Sequence, residues 1–353
     1  MAAGFKKAEA PGGTLVPSTL TDYPSFFDPS RLGITTLAEA QSIRVYGDEA
    51  KTIEWAREIV SVNEGHFLVP SMSGTTVPYV DWDGVRSDYA TTATYGAEAV
   101  WSDYLAVYHG ELSGTSVVDS TGNNTPTKQT VATPTVTSGK VGDALSPNSA
   151  SWDTNINPNT AIGTGDFTWQ SWNNFSPSTD RRVILSATRN NPFYNAFQMT
   201  VYESGIGSRE NSNFLSARAG TSGSVETTDA AADGTWRMRH ATRAGTTASH
   251  FINGVSVYSA SNAEWGVSLG GSTAPIFILG GAYSSGIVSI TEDEIDEIRV
   301  RGSVLSANWI ETEYNNQNDE ATFWGTWTDA GGGGGGYVPT PMLHMMAQSG
   351  GLM

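Results

Sequence analysis

The stretch His250-Phe251-Ile252-Asn253-Gly254-Val255-Ser256-Val257 sets Asn-Gly between two short runs in which apolar and polar residues alternate. A two-residue type I′ turn needs positive φ at both central positions, and Asn and Gly tolerate this best, so the octapeptide specifies a β-hairpin. Similar runs recur along the chain. Candidate strands run from Ser42 to Tyr46, Gly65 to Pro70, Thr76 to Trp82, Trp101 to Tyr108, Phe167 to Phe175, Arg182 to Ala187, Ala196 to Tyr202, Trp236 to Thr242, Ala248 to Ile252, Ile276 to Leu279 and Ile295 to Val300. Gly, Asn, Asp and Pro punctuate them. Helical character is confined to Thr36–Gln41 and to Ser306–Tyr314, where Ser306 is the cap and Leu305, Trp309 and Ile310 are the apolar anchors. Many short strands with turns between them predict an all-β chain made of sandwiches.

At 353 residues the chain has room for two cores, taking ~150 residues per domain. The expected division is a flexible N-terminal arm over residues 1–14, a first β-sandwich over 15–98, a second over 99–327, and a Gly-rich linker and tail over 328–353. Gly331–Gly336 has no side chains to pack, and Tyr337–Met353 reads as a disordered Met-rich tail containing His344.

With 36 acidic against 19 basic residues, the net charge is −17. Such a surface repels phosphate backbones, which excludes nucleic acid as an expected partner. There are no cysteines, so disulfides and thiolate metal sites are excluded. No apolar run is long enough to span a membrane. Lys6 and Lys7 have no apolar segment behind them, so no export signal is expected.

Several stretches, in order, resemble the laminin-G-like, concanavalin-like family. They are Asp119-Ser120-Thr121-Gly122-Asn123, Gly139-Lys140-Val141-Gly142-Asp143-Ala144-Leu145, Asp233-Gly234-Thr235-Trp236, Ile252-Asn253-Gly254, and Ile295-Asp296-Glu297-Ile298-Arg299-Val300 followed by Leu305-Ser306. The first region resembles the DUF2341-like domain that precedes such modules in bacterial and phage surface proteins, through Leu20-Thr21-Asp22-Tyr23-Pro24, Ser42-Ile43-Arg44-Val45 and Val69-Pro70-Ser71-Met72-Ser73. The resemblance implies two β-sandwich domains, the second a jelly roll. It also implies a calcium ion at the sandwich rim, for which the matching positions are Asp119 and Asp296, with Asn123 adding an oxygen at turn spacing.

Glu292-Asp293-Glu294-Ile295-Asp296-Glu297 is the densest carboxylate cluster. Hydrolases that share the resembled fold carry E-I-D-x-E or E-I-D-x-x-E on one strand. Here Glu294-Ile295-Asp296 matches the start, but Ile298 and Arg299 stand where the second Glu belongs. Strand alternation would also turn Glu297 to the face opposite Asp296. Retaining hydrolysis needs both carboxylates, so no enzyme is expected.

The five histidines, His66, His109, His240, His250 and His344, show no metal-ligand spacing. His240 and His250 fall on adjacent candidate strands and read as half-exposed strand residues. Trp169 and Trp172, three apart, should face opposite ways, one in the core and one toward solvent as a sugar-stacking candidate.

Domains of an extracellular type on a chain without an export signal point to a virion surface or structural protein of a phage: a capsid decoration, head fibre or tail fibre. Its expected partners are other virion proteins, through both terminal arms, and a cell-surface glycan, with display as a homo-oligomer. The alternatives are a bacterial cell-surface adhesin and, last, a degraded glycoside hydrolase.

Overall fold

The computed structural model describes residues 3–176, 182–187, 197–201, 216–218, 221–223, 233–263, 276–278, 280–283, 286–289 and 293–331. Glu292 and the stretch 332–353, with His344, lie outside these residues. The chain is all-β apart from short helices, as its turn chemistry requires.

A first sandwich encloses its core between two sheets. One runs in the order Thr328–Asp329, Gly4–Lys7, Tyr79–Trp82, Arg44–Tyr46, Glu54–Trp55, and the other in the order Leu20–Phe27, Gly65–Met72, Arg57–Ile59. Tyr23, Phe27, Val45, Phe67, Val69 and Val80 are buried between them. Residues 4–7, expected within a flexible arm, form a strand paired on both sides, Lys6 facing Val80 on one neighbour and Asp329 on the other.

The chain after residue 304 departs from the expected division. The Ala307–Asn318 helix forms where the sequence predicts one, and Ser306 Oγ accepts from Trp309 N at 3.2 Å. Its apolar residues, however, complete the first sandwich and not the jelly roll: Leu305, Trp309, Ile310, Phe323, Trp324 and Trp327 join the core of Tyr23 and Phe27. The cause is complementary surface. A sheet of three strands leaves aromatic faces uncovered, and Trp309 meets the Tyr23 ring edge-on at 5.4 Å.

Asn316 fixes the helix in place. Its Oδ1 accepts from Phe26 N at 2.7 Å and Ser25 Oγ at 3.1 Å, while its Nδ2 donates to Phe26 O at 2.9 Å.

The second sandwich is a jelly roll of an eight-stranded and a five-stranded sheet. The Glu294–Arg301 strand lies inside the larger sheet, between Phe167–Asn174 on one side and both Asp143–Ser146 and Tyr104–Tyr108 on the other. The predicted hairpin is present, with Asn253 at φ 51° and Gly254 at φ 81°. Trp152, Trp169, Phe167, Leu185, Ile278 and Val300 fill the core.

The two sandwiches pack on each other through Trp101, Tyr104 and Val107, and through Phe26 against Val141, Trp172 and Met238. Trp169 and Trp172 do face opposite ways, but both are buried: Trp172 looks toward the first sandwich, and its Nε1 donates to Gln317 Oε1 at 2.6 Å. Asn316→Ala would leave the Phe26 N–H without its side-chain acceptor in the interior. The expected loss in urea unfolding is ~1–3 kcal/mol.

Candidate functional site

The site begins with a defect in one strand. Along Glu294–Arg301, Ile295, Ile298 and Val300 all belong to the jelly-roll core, so the inward spacing is three and then two. Pairing with Phe167–Asn174 slips between Gln170 and Trp172, and Glu297 sits at φ 51°. This is a β-bulge, and positive φ in a residue with a Cβ marks a backbone the surroundings hold in place. Simple alternation fails across the bulge, which corrects the expectation for Glu297. Asp296 and Glu297 both turn away from the jelly-roll core toward the first sandwich.

Three other segments deliver side chains to the same point. Glu64 closes a tight turn in which its carbonyl accepts from Val60 N and Ser61 N. His66 lies in the Gly65–Met72 strand, opposite Phe26 and Glu58. His109 follows the Tyr104–Tyr108 strand, whose Tyr108 pairs with Ile298.

Glu64, His66, His109 and Glu297 therefore meet at the joint between the sandwiches, with one donor atom from each inside a 4.8 Å span. His66 Nε2 is 3.2 Å and His109 Nδ1 is 3.1 Å from Glu64 Oε1, and His66 Nε2 is 3.9 Å from Glu297 Oε1. His109 Nδ1 and Glu297 Oε1 are in closer contact still. The two imidazoles stack with centroids 4.7 Å apart, and the Trp101 indole covers both at 5.2 and 5.3 Å.

All four side chains are fully buried, so charge must be balanced locally. Arg299 binds Glu297 Oε2 and, at 2.6 Å, Glu313 Oε1, while Glu313 Oε2 is 3.0 Å from His240 Nε2. Burial pushes Glu64 well above the ordinary carboxylate range, against the pull of His109. Burial likewise raises Asp296, and the Glu297 charge adds to the rise. Glu297 is equally buried, yet Arg299, His109 and His66 hold it well below the usual range. Burial opposes charge on both histidines. It keeps His66 neutral, whereas at His109 Glu297 and Glu58 outweigh it and favour the imidazolium.

Two glycines set how closely the jelly roll approaches these acids. The turn from Gly139 to Gly142, closed by Gly139 N donating to Gly142 O at 2.9 Å, lies over them. A Cβ on Gly139 would stand 2.6 Å from Asp296 Oδ2, and one on Gly142 would stand 2.2 Å from Glu64 Oε2.

A cleft of about 250 Å³ adjoins the centre, lined by Arg57, Glu58, Asp88, Tyr89, Glu111 and Asp119 among others. Glu58 links the two: its Oε2 takes the Trp101 Nε1 hydrogen bond at 2.5 Å and lies 3.2 Å from His109 Nε2.

The proposed calcium residues have other engagements. Asp119 Oδ1 accepts from Val107 N and Thr121 N, and Oδ2 accepts from Thr121 Oγ1, Asn124 N and Asn124 Nδ2, between 2.7 and 3.1 Å. Asn123 is exposed. Asp296 Oδ2 accepts from Val141 N at 2.8 Å. Among the described residues, the His and carboxylate group whose atoms are close enough to share one ion includes none of these three.

His240 and His250, expected half-exposed, are both fully buried. The paired strands set His240 opposite Phe251, and His250 opposite Ala241. Glu64, His66, His109 and Arg299 were not singled out as site residues from sequence. The available signal was polarity inside apolar strands: Gly65-His66-Phe67-Leu68-Val69 and Ala106-Val107-Tyr108-His109 each carry one histidine where a half-buried strand needs none.

Two predictions follow from this electrostatic arrangement. Arg299→Met strands two buried carboxylates, and urea unfolding should show a loss of ~3–5 kcal/mol. Burial, aided by Arg239 and His240, lowers His250 from 6.5 to about 3. The unfolded chain therefore takes up a proton below pH 6.5 that the folded chain refuses. Stability is fully present above that pH and is lost as pH falls toward 3, by up to ~4–5 kcal/mol from this residue. Unfolding curves of His250→Gln from about pH 7 to 4 should be flatter with pH than those of the wild type.

Comparison with known proteins places residues 148–311 in a match to the family described as the concanavalin A-like lectin/glucanases superfamily. No curated protein matches the chain significantly. Among solved structures, domain 4 of an extracellular GH43 arabinanase from Geobacillus stearothermophilus, in complex with arabinotriose, is 16% identical with a TM-score of 0.48, covering 59% of this chain and 97% of that one. A botulinum neurotoxin type C structure, described in terms of cell entry through two ganglioside molecules, is 12% identical with a TM-score of 0.42 and coverages of 61% and 51%. The binding domain of botulinum neurotoxin DC in complex with rat synaptotagmin II gives 12%, 0.41, 61% and 52%. This chain thus spans about half the length of those neurotoxin chains, and likeness at this level says nothing of its ligand. Residues 148–311 match the concanavalin A-like lectin/glucanases family model, and the strands described within them belong to the jelly roll.

Proposed function

We propose that the chain is a non-enzymatic, glycan-binding surface protein of a phage or virus particle, displayed as a homo-oligomer in a capsid decoration, head fibre or tail fibre. The observation that carries the non-enzymatic part is the burial of the acids on the Glu294–Arg301 strand. Asp296 is 1% and Glu297 0% exposed, the one under the Gly139–Gly142 turn and the other against Glu64 and His66 of the first sandwich. Glu294 is engaged as well, by Thr137 Oγ1 at 2.9 Å and Asn174 Nδ2 at 3.0 Å. Burial keeps a sugar from Asp296 and Glu297, and acid–base chemistry needs contact with the glycosidic oxygen.

The cleft beside the joint is the proposed ligand seat. At about 250 Å³ it falls below the volume of drug-sized sites, about 300–1,000 Å³, and suits a single sugar ring. Its wall of Glu58, Asp88, Glu111, Thr91 and Ser120 offers acceptors and hydroxyls suited to sugar hydroxyl groups. One such contact is weak, and repetition over an oligomer supplies avidity. The net charge of −17 and the absence of cysteine suit a particle surface. A second reading, a bacterial cell-surface adhesin, uses the same cleft.

Glycan-array binding by the intact protein tests the ligand. Binding should weaken roughly tenfold in Glu111→Ala, the scale of one lost hydrogen bond to a charged group. No binding, or binding untouched by that change, overturns the cleft assignment. Polysaccharide turnover abolished by Glu294→Gln overturns the non-enzymatic reading. Mass spectrometry of purified particles should find the chain at defined copy number, whereas recovery only from cell envelopes transfers the case to the adhesin.

A further inference from the structure

We infer that Glu64, His66, His109 and Glu297 form the seat of one divalent transition-metal ion, of the zinc type, that fastens the first sandwich to the jelly roll. Two imidazole nitrogens and two carboxylate oxygens are a donor set that suits such an ion better than calcium or magnesium, which favour oxygen alone.

The spacing fits a coordination shell. Tetrahedral bonds of ~2.0–2.1 Å separate neighbouring donors by about 3.3 Å. Three of the separations, 3.1, 3.2 and 3.9 Å, bracket that value, and the closer His109 Nδ1–Glu297 Oε1 contact would have to open as the ion enters. Glu64 supplies a second, independent observation. Its carboxylate is fully buried, its ion-pair contacts among the described residues are the two histidines, and Oε2 has no hydrogen-bond partner. Among the described residues no lysine or arginine pairs with it, and Arg299 pairs with Glu297 and Glu313. A cation between Glu64 and Glu297 relieves two buried acids held within one 4.8 Å span.

The surrounding contacts also suit ligation. Glu297 would bind through Oε1 while Arg299 holds its Oε2, and His109 would bind through Nδ1 while Glu58 Oε2 stands 3.2 Å from its Nε2. A carboxylate behind a ligating imidazole fixes ring orientation and raises its basicity. All four ligand side chains are fully buried behind Trp101, which makes the role of the ion structural.

The test is metal analysis of the full chain, expressed with Zn²⁺ and separately unfolded in chelator and refolded with Zn²⁺ or Co²⁺. The expected result is about one equivalent per chain after desalting, ligand-field bands of tetrahedral intensity for Co²⁺, and a lower Tm for protein refolded without metal. Glu64→Gln preserves shape while removing a buried charge, so it should fold and retain at least roughly tenfold less metal. Glu58→Gln should weaken affinity by roughly 10–100-fold. A folded protein that holds no metal after either treatment overturns the inference and leaves a proton-sharing His–Glu network in its place. So does undiminished retention in a His66→Gln/His109→Gln chain. Glycan binding plays no part in these readouts, so either proposal can fail alone.

Discussion

Arg299 stands between two carboxylates in a space that holds no other guanidinium contact to either of them among the described residues. One partner, Glu297, belongs to its own bulged strand, and the other, Glu313, to the helix that closes the first sandwich. The line from His109 through Glu297, Arg299 and Glu313 to His240 therefore leaves the jelly roll at Arg299, crosses the helix packed against the other module at Glu313, and returns to the jelly roll at His240. Buried charges of this kind are costly unless every member keeps its geometry, and that demand makes the docking of the two modules specific.

The bulge, the glycine turn and the helix are three local solutions to the same demand. Without an extra residue at Glu297, one of the two acids would project into Ile295, Ile298 and Val300. Without glycine at positions 139 and 142, their turn would stand off from Asp296 and Glu64. Without Asn316 gripping Phe26, Glu313 would lose its fixed distance to Arg299. Apolar packing through Trp101 and Trp172 supplies the contact area, and the charges supply register.

Much of the architecture was legible in the sequence, because strands and turns are written locally. Asn253-Gly254 dictated its hairpin, Ser306 its helix cap, and alternation located most strands to within a few residues. Domain limits were less legible, since nothing in Trp309 or Ile310 states which of two cores they enter. The site was least legible. His66 and His109 lie far apart in sequence and meet Glu297 only through pairing of distant strands, and the bulge that turns Glu297 depends on tertiary contacts. Sequence placed Asp296 and Glu297 in its densest carboxylate cluster, and assigned the facing of Glu297 from an alternation that the bulge breaks.

The pairing of Gly4–Lys7 with Thr328–Asp329 has a mechanical consequence. Residues near both limits of the described fold leave from one edge of one sheet, side by side and antiparallel. A pull between them opens that two-residue ladder one rung at a time and then peels Gly4–Lys7 from Tyr79–Trp82. The jelly roll, enclosed in the chain between those strands, carries no tension until the first sandwich has opened. The sandwich at the base thus acts as a fuse for the module it presents.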